Sequence, residues 1–188
     1  TSENLQRLSR VSGHCEGDFA FVQNGSQLPA GKLRLVARLP RQESLMLVGK
    51  KADSYSALSS LQGLKVGVGP EKGGTANLAR DLIAIPEISK LGLKLEYHSI
   101  AEQLALAEAG KLDLAAFVMD EDADFIESAI RDRGLELVGL PHADVVARRL
   151  SYVHHGRIGA GQFDAVRILP LVDKRVLRVE TLVLASEC

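Results

Sequence analysis

The chain has 188 residues, 46% of them apolar and 4% aromatic with no tryptophan, enough to bury a core as one large domain or two small lobes. Its 23 basic and 24 acidic residues leave a net charge of −1, which argues against the clustered positive excess of a general nucleic-acid surface. No apolar run approaches the ~20 residues of a membrane span, and no charged start, apolar middle and cleavage site precede the fold, so a targeting or anchoring segment is expected outside this chain.

In chain order, the first dozen residues read as a helix tail ending at Gly13. Cys15 and Cys188 lie near the two ends, either as a pair across the fold or as two free thiols. Asp18 to Gln23 reads as a buried strand closed by the turn Asn24-Gly25. Lys32 to Leu39 alternates apolar and basic residues as a half-exposed strand does, and Ser44 to Gly49 is another, after a polar break at Pro40 to Glu43. Asp53 to Gln62 is a short polar-faced helix.

The stretch from Leu64 to Leu82 organises the rest. Val66 and Val68 mark a strand, Gly69 to Gly74 a glycine-rich turn, and a helical pattern begins at Thr75. A helix launched from such a turn leaves unpaired N–H groups and roughly half a positive charge at its start, which suits a carboxylate or phosphate. Lys72 adds a full charge beside it, and Thr75 is placed to cap. The competing reading is an ordinary strand-to-helix turn whose glycines serve backbone geometry. GxxxxGK[ST] is absent, as is GxGxxG after the strand, so nucleotide binding is disfavoured.

Beyond it, Leu93 to His98 is a strand and Ala101 to Ala109 a helix stopped at Gly110. Leu112 to Met119 is a near-continuous apolar run, as in a parallel strand covered on both faces. Asp124 to Arg133 is an amphipathic helix, Leu135 to Leu140 a strand and His142 to Leu150 a helix. Turns around Gly156, Gly159 and Gly161 precede a last alternating stretch, Val176 to Leu184. Alternating strands and helices from Leu64 to Leu150 predict a parallel α/β sheet, with ligands at the carboxyl ends of its strands: Gly69 to Thr75, Ser99 and Met119-Asp120.

Outside that turn, single residues carry little chemistry. Gln23, at the end of a strand, either reaches a carboxylate in a cleft or is a solvated turn residue. Phe117 packs the core of its strand, or walls a ligand if the strand end is bare. Asp120, Glu121, Asp122 and Asp124 lack the EF-hand spacing, and a solvated loop or helix start is preferred. His142, His154 and His155 lack metal-ligand spacing and read as loop histidines. His14 beside Cys15 has no identifiable orienting acid, and no GxSxG elbow exists. No metal, no cofactor and no catalytic role are expected.

DFAFVQ, the strand with Arg38 and Glu43, GVGPEKGGT, AEQLALAEAGKLDLAAFV, LVGLPHADVVARRLSYV and GQFDAVRILPLVDKRVLRVETLVLAS follow in order from about Gly17. Together they resemble the TAXI-type solute receptors of TRAP transporters. The resemblance implies a type II periplasmic-binding-protein fold, α/β, with two lobes around a cleft. One lobe would be complete with a parallel-rich sheet (50–150), and part of a second would come from 1–49 and the returning 151–188. It implies a bacterial, extracytoplasmic receptor, periplasmic or membrane-anchored. The receptor would bind a small organic anion such as an amino acid or dicarboxylate and deliver it to a membrane permease, without chemistry. On this mapping Lys72, Gly73, Gly74 and Thr75 bind the ligand, with Gln23, Glu43 and Phe117; Glu43, at a family acidic position, would hold a ligand ammonium, whereas without the resemblance it reads as one half of a surface salt bridge. The family's G-S-G-T is here Lys72-Gly73-Gly74-Thr75, which removes a hydroxyl and adds a cation. The alternative is a ligand-sensing regulatory domain on the same fold.

Overall fold

A computed structural model describes residues 4, 5, 8, 19–28, 33–51 and 54–186. Asn4, Leu5 and Leu8 are helical. There follow β1 (Phe19–Gln23), β2 (Leu33–Gly49), a 3-10 turn (Leu58–Leu61), β3 (Lys65–Gly67), α1 (Gly74–Ile83), α2 (Pro86–Ser89) and β4 (Lys94–Glu96). Next come α3 (Ile100–Glu108), β5 (Leu114–Met119), α4 (Asp124–Arg131), β6 (Glu136–Val138), α5 (Ala143–Ala147), β7 (Val153–Ile158) and β8 (Lys174–Ser186). The readings placed on His14, Cys15 and Cys188 lie outside the described residues.

These strands form one mixed sheet. β3 runs parallel to β4 and to β5, as the strand–helix alternation predicts. β2 is inserted antiparallel between β5 and β6, so the helix-flanked part reads β4-β3-β5-β2-β6. β2 then pairs along β8, and β1 and β7 pair with different stretches of β8, all antiparallel.

Side-chain alternation sends each strand's residues to two cores. Leu45, Leu114, Ala116, Leu177 and Val179 pack with Leu78 and Ala79 of α1 and Val146 of α5 on one face. Met46, Val48, Ala115, Phe117 and Val176 pack with Leu104 of α3 and with Ile126, Ala129 and Ile130 of α4 on the other. The last three residues, at helical spacing, form the apolar stripe of α4. A smaller cluster joins Leu5 and Leu8 to Ala20 and Val22 of β1 and Leu184 of β8.

Several stretches depart from the sequence reading. Ahead of Gln23, β1 is buried on one face only, with Phe19 and Phe21 turned to water, and the helix expected over 53–62 is a 3-10 turn at Leu58–Leu61. The polar segment at Pro40 to Glu43 does not break the chain into two strands: β2 is continuous over 17 residues. Its irregularity is absorbed as register shifts against β8, between Leu35 and Ala37 and between Arg38 and Gln42. Proline and exposed polar residues are tolerated at such bulges because the ladder is already interrupted there. Gly156 is likewise not in a turn but within β7, so His154 and His155 are strand residues. A Cβ at Gly156 would sit 2.5 Å from Arg178 Nε, and glycine there leaves room for that guanidinium.

Candidate functional site

The turn after β3 is fixed from beneath. Gln103, fully buried on α3, accepts from Gly69 N at 2.7 Å and donates to Ala116 O at 2.9 Å, tying the turn to β5. Gly73 N donates to Pro70 O at 2.7 Å, and a Cβ on Gly73 would lie 2.9 Å from that oxygen. The turn is thus too tight for the serine that the resemblance leads one to expect. A polar residue on the buried face of the Ala101–Ala109 helix was the available signal for Gln103, and the sequence reading passed over it.

Gly73, not Thr75, is the N-cap of α1, and no side chain caps the helix. The Thr75 hydroxyl instead accepts from Val118 N at 3.1 Å, spending the cap on the end of β5. First-turn N–H groups are left to meet an anion, beside the exposed Lys72. Gln23 is 6% exposed, which removes the solvated-turn reading, and its Nε2 donates to Gly74 O at 3.3 Å. The end of β1 and the start of α1 therefore meet.

Glu43 comes to the same side. Gln23 pairs in register with Thr181, and Glu43 with Val179 two residues earlier on β8, so Gln23, Thr181 and Glu43 share one face. Burial pushes the Glu43 carboxyl above the usual carboxylate range; a hydrogen bond from Thr181 opposes this and the charge of Asp120 adds to it. Asp120 is held by Arg41 at 2.9 Å. Thr181 is a further residue of this cluster that the sequence did not single out, because a threonine in an alternating strand carries no signal of its own.

Phe117 is not part of it. Alternation along β5 sends Ala116 and Val118 to the α1 face and Phe117 to the opposite one, where it is 1% exposed. Its ring meets Phe125 edge-on with centroids 5.3 Å apart. Its position supports a core role rather than a ligand wall.

The acidic run after β5 is ion-paired rather than simply solvated. Arg41 engages Asp120 and Asp122. Glu121 turns to the other face, where Arg178 Nη2 donates to it at 2.7 Å and Ser44 and Gln162 also donate. Burial raises the Glu121 carboxyl, but these hydrogen bonds and the charge of Arg178 outweigh burial and hold it below its ordinary value. Pro40, Arg41, Gln42, Asp120, Glu121 and Arg178 line a cavity of about 300 Å³ there. No group of three or more potential metal ligands occurs among the described residues.

On the α1 side, Tyr152 links the turn after β1 to α1. Its ring lies where a Cβ of Gly25 would be, 2.2 Å away, and its hydroxyl donates to Asp81 on α1. Burial, then the Asp81 contact, raise the Tyr152 phenol far above its usual range.

Among solved structures, an OxyR2 regulatory domain from Vibrio vulnificus is similar over 100% of this chain and 68% of its own, at 12% identity and a TM-score of 0.54. An ancestral arginine-binding protein bound to arginine matches 53% of this chain and 42% of its own, at 23% identity and a TM-score of 0.39. The second substrate-binding domain of a putative amino acid ABC transporter from Streptococcus pneumoniae matches 81% and 50%, at 13% identity and 0.41. The chain thus spans about half the length of those last two proteins. No curated protein sequence matches it. The fold is mixed α/β, of the type II periplasmic-binding-protein kind. The family profile matches residues 13–161, and the chain belongs to the NMT1-like family.

Proposed function

We propose that this chain binds a small organic anion at the start of α1, with Lys72, Gly73, Gly74 and Thr75 on one side and Gln23, Glu43 and Thr181 on the other. One observation carries the reading: the buried Gln23 amide meets a helix start that no side chain caps. The anion would take the free N–H groups and the Lys72 charge, and Glu43 would receive a ligand ammonium, which favours an amino acid over a simple dicarboxylate. Several proteins of similar fold are named for binding arginine or amino acids, in keeping with that preference.

The finer reading is a receptor of the TAXI type that serves a TRAP transporter outside the cytoplasm and hands its ligand to a membrane permease. Its support is the order of sequence motifs. In this reading 50–150 is one lobe, 1–49 and 151–188 contribute to the other, and the role is binding without catalysis. Ligand contact with both sides favours the closed form by differential affinity. A ligand-sensing regulatory domain is the second reading; one solved structure matched over the whole chain is a regulatory domain by name, a likeness that speaks for the fold.

A thermal-shift panel of amino acids, dicarboxylates, keto acids and inorganic anions tests the first reading. A ligand at a hundredfold excess over its Kd adds about 2.7 kcal/mol of apparent stability. The expected result is a shift with one acid class that Lys72→Ala diminishes. An unchanged shift in Lys72→Ala removes Lys72 from the site, and no shift with any acid overturns the organic-anion reading for this chain.

A further inference from the structure

Between β7 and β8 the chain forms a loop that is rigid and yet apolar on its outside. Phe163 N donates to Leu169 O at 2.8 Å and Leu169 N to Asp164 O at 2.9 Å, and Gly161 N reaches Pro170 O at 3.0 Å. The Asp164 carboxylate accepts from Val166 N and Arg167 N at 2.9 Å each and from Arg167 Nε at 2.6 Å. Arg167 also donates to Arg131 O on α4 at 2.8 Å, and Asp173 takes Ala160 N and Arg157 at the loop's other end. Phe163 anchors the loop in the core.

Held this way, the loop turns Val166 (93% exposed), Ile168, Leu171 (64%) and Val172 (59%) to water. Ile168 adopts φ of 55°, a conformation that β-branched residues rarely hold. Apolar side chains gathered in one exposed patch, rather than scattered singly, mark an interaction site.

Leu171 and Val172 continue into a groove. With Tyr55, Leu140, Pro141, Asp173, Lys174 and Arg175 among others they bound a cavity of about 620 Å³. Arg175 also lines a neighbouring cavity of about 430 Å³ with His155, Arg157 and Asp144, the last paired with Arg148 at 3.8 Å. The segment from Arg157 to Arg175 holds four basic and two acidic residues in a chain whose net charge is −1. Both acids are engaged within it, Asp164 by Arg167 and Asp173 by Arg157, and Asp144 by Arg148 beside it, so that among the described residues no acid is paired with the Arg175 guanidinium in the cavities it lines.

We propose that this groove and the apolar loop beside it are a docking surface for another protein, and that they take a segment carrying carboxylates next to an aliphatic side chain. The aliphatic group covers Leu171 and Val172, and the carboxylate meets Arg175, whose planar guanidinium suits bidentate pairing. Charge complementarity selects that occupant: an apolar floor beside an arginine disfavours a basic segment and leaves a purely polar one without cover for the aliphatic side chains. This inference does not depend on the ligand reading at α1.

The test uses the ¹⁵N-labelled full chain titrated with an acetylated hexapeptide of alternating glutamate and leucine, followed by amide chemical shifts. Saturable shifts are expected at 139–142 and 166–175. The same peptide built with lysine for glutamate should give none. Affinity should fall at least tenfold in Arg175→Glu and in Val172→Asp, two exposed positions where misfolding is not at issue, and stay unchanged in Lys111→Glu, an exposed position after α3 that lines neither cavity. No shift with the acidic peptide overturns the proposal. So does concentration-dependent shifting of the same amides without peptide, which would make the occupant a second copy. Cosedimentation with vesicles of three parts phosphatidylcholine to one part phosphatidylglycerol, lost in Arg175→Glu while the peptide fails to bind, would make it a membrane surface and overturns it too.

Discussion

The Gln23 side chain donates to the main-chain carbonyl of Gly74 across 51 positions of sequence, at 3.3 Å. A buried amide placed on the first residue of a helix sits beside the N–H groups that an anion would use. Gln23→Ala removes one modest hydrogen bond and should cost about 1 kcal/mol of stability in a denaturant melt. Gln23→Glu places a carboxylate where the ligand's own is proposed to lie, so anion binding measured by calorimetry should fall at least tenfold, or about 1.4 kcal/mol. Retained affinity in Gln23→Glu would take this residue out of the site.

Glu43 should make stability depend on pH in the direction opposite to most carboxylates. Its folded-state value is raised, so between the unfolded and folded values the native chain holds the proton more tightly than the unfolded chain does. Stability therefore declines as pH rises through that window, and the penalty is fully present above the folded value. Glu43→Gln should raise the melting temperature at pH 7 and lose that advantage below about pH 4, near the ordinary glutamate value. An equal offset at both pH values would show that the carboxyl is not perturbed.

Arg178 and Glu121 form the contact most exposed to a distant substitution. Gly156→Ala brings a methyl group to 2.5 Å from Arg178 Nε and should displace the guanidinium without altering any charge. Arg178→Ala leaves the Glu121 carboxylate in place without its cation and should cost about 1–3 kcal/mol. Since Glu121 is depressed in the folded state, its stabilisation is present above the unfolded value and is lost as pH falls through the folded one. Melts of Gly156→Ala and Arg178→Ala across pH 3 to 7 should therefore converge with the parent at the acid end.

The Tyr152 contact separates a backbone effect from a hydrogen bond. Gly25 holds φ of 89° with the Tyr152 ring pressed on it, so Gly25→Ala is opposed by both conformation and space and should cost more than 1 kcal/mol. Tyr152→Phe keeps the packing and loses only the bond to Asp81, about 1 kcal/mol. Urea melts of the two variants should rank in that order.

Much of the α/β block was legible because its signals are local. β5 is a continuous apolar run, and α4 carries its buried residues at helical spacing. The turn Gly69 to Gly74 announced a helix start, and the helix is there. What was not legible depends on partners far along the chain. Pro40 reads as a break until β8 is set beside it, and Gly156 as a turn until Arg178 needs its space. Phe117 and Val118 are neighbours in sequence, yet the pleat puts the ring in the opposite core from the Val118 side chain. Gln103 and Thr181 owe their places to Gly69 and to Glu43 with Gln23, partners that no window of sequence contains.

Between Arg38 and Gln42 on β2 lie three residues, whereas their partners Leu182 and Glu180 on β8 are separated by Thr181 alone. A ribbon with more backbone along one side than the other must crease, and surplus residues sharpen its twist. The single residue on the short side is the one bonded to Glu43 and opposite Gln23. The crease thus lies under the proposed ligand: flexing the ribbon redraws the floor beneath it, and whatever stiffens that floor stiffens the spine of the whole molecule.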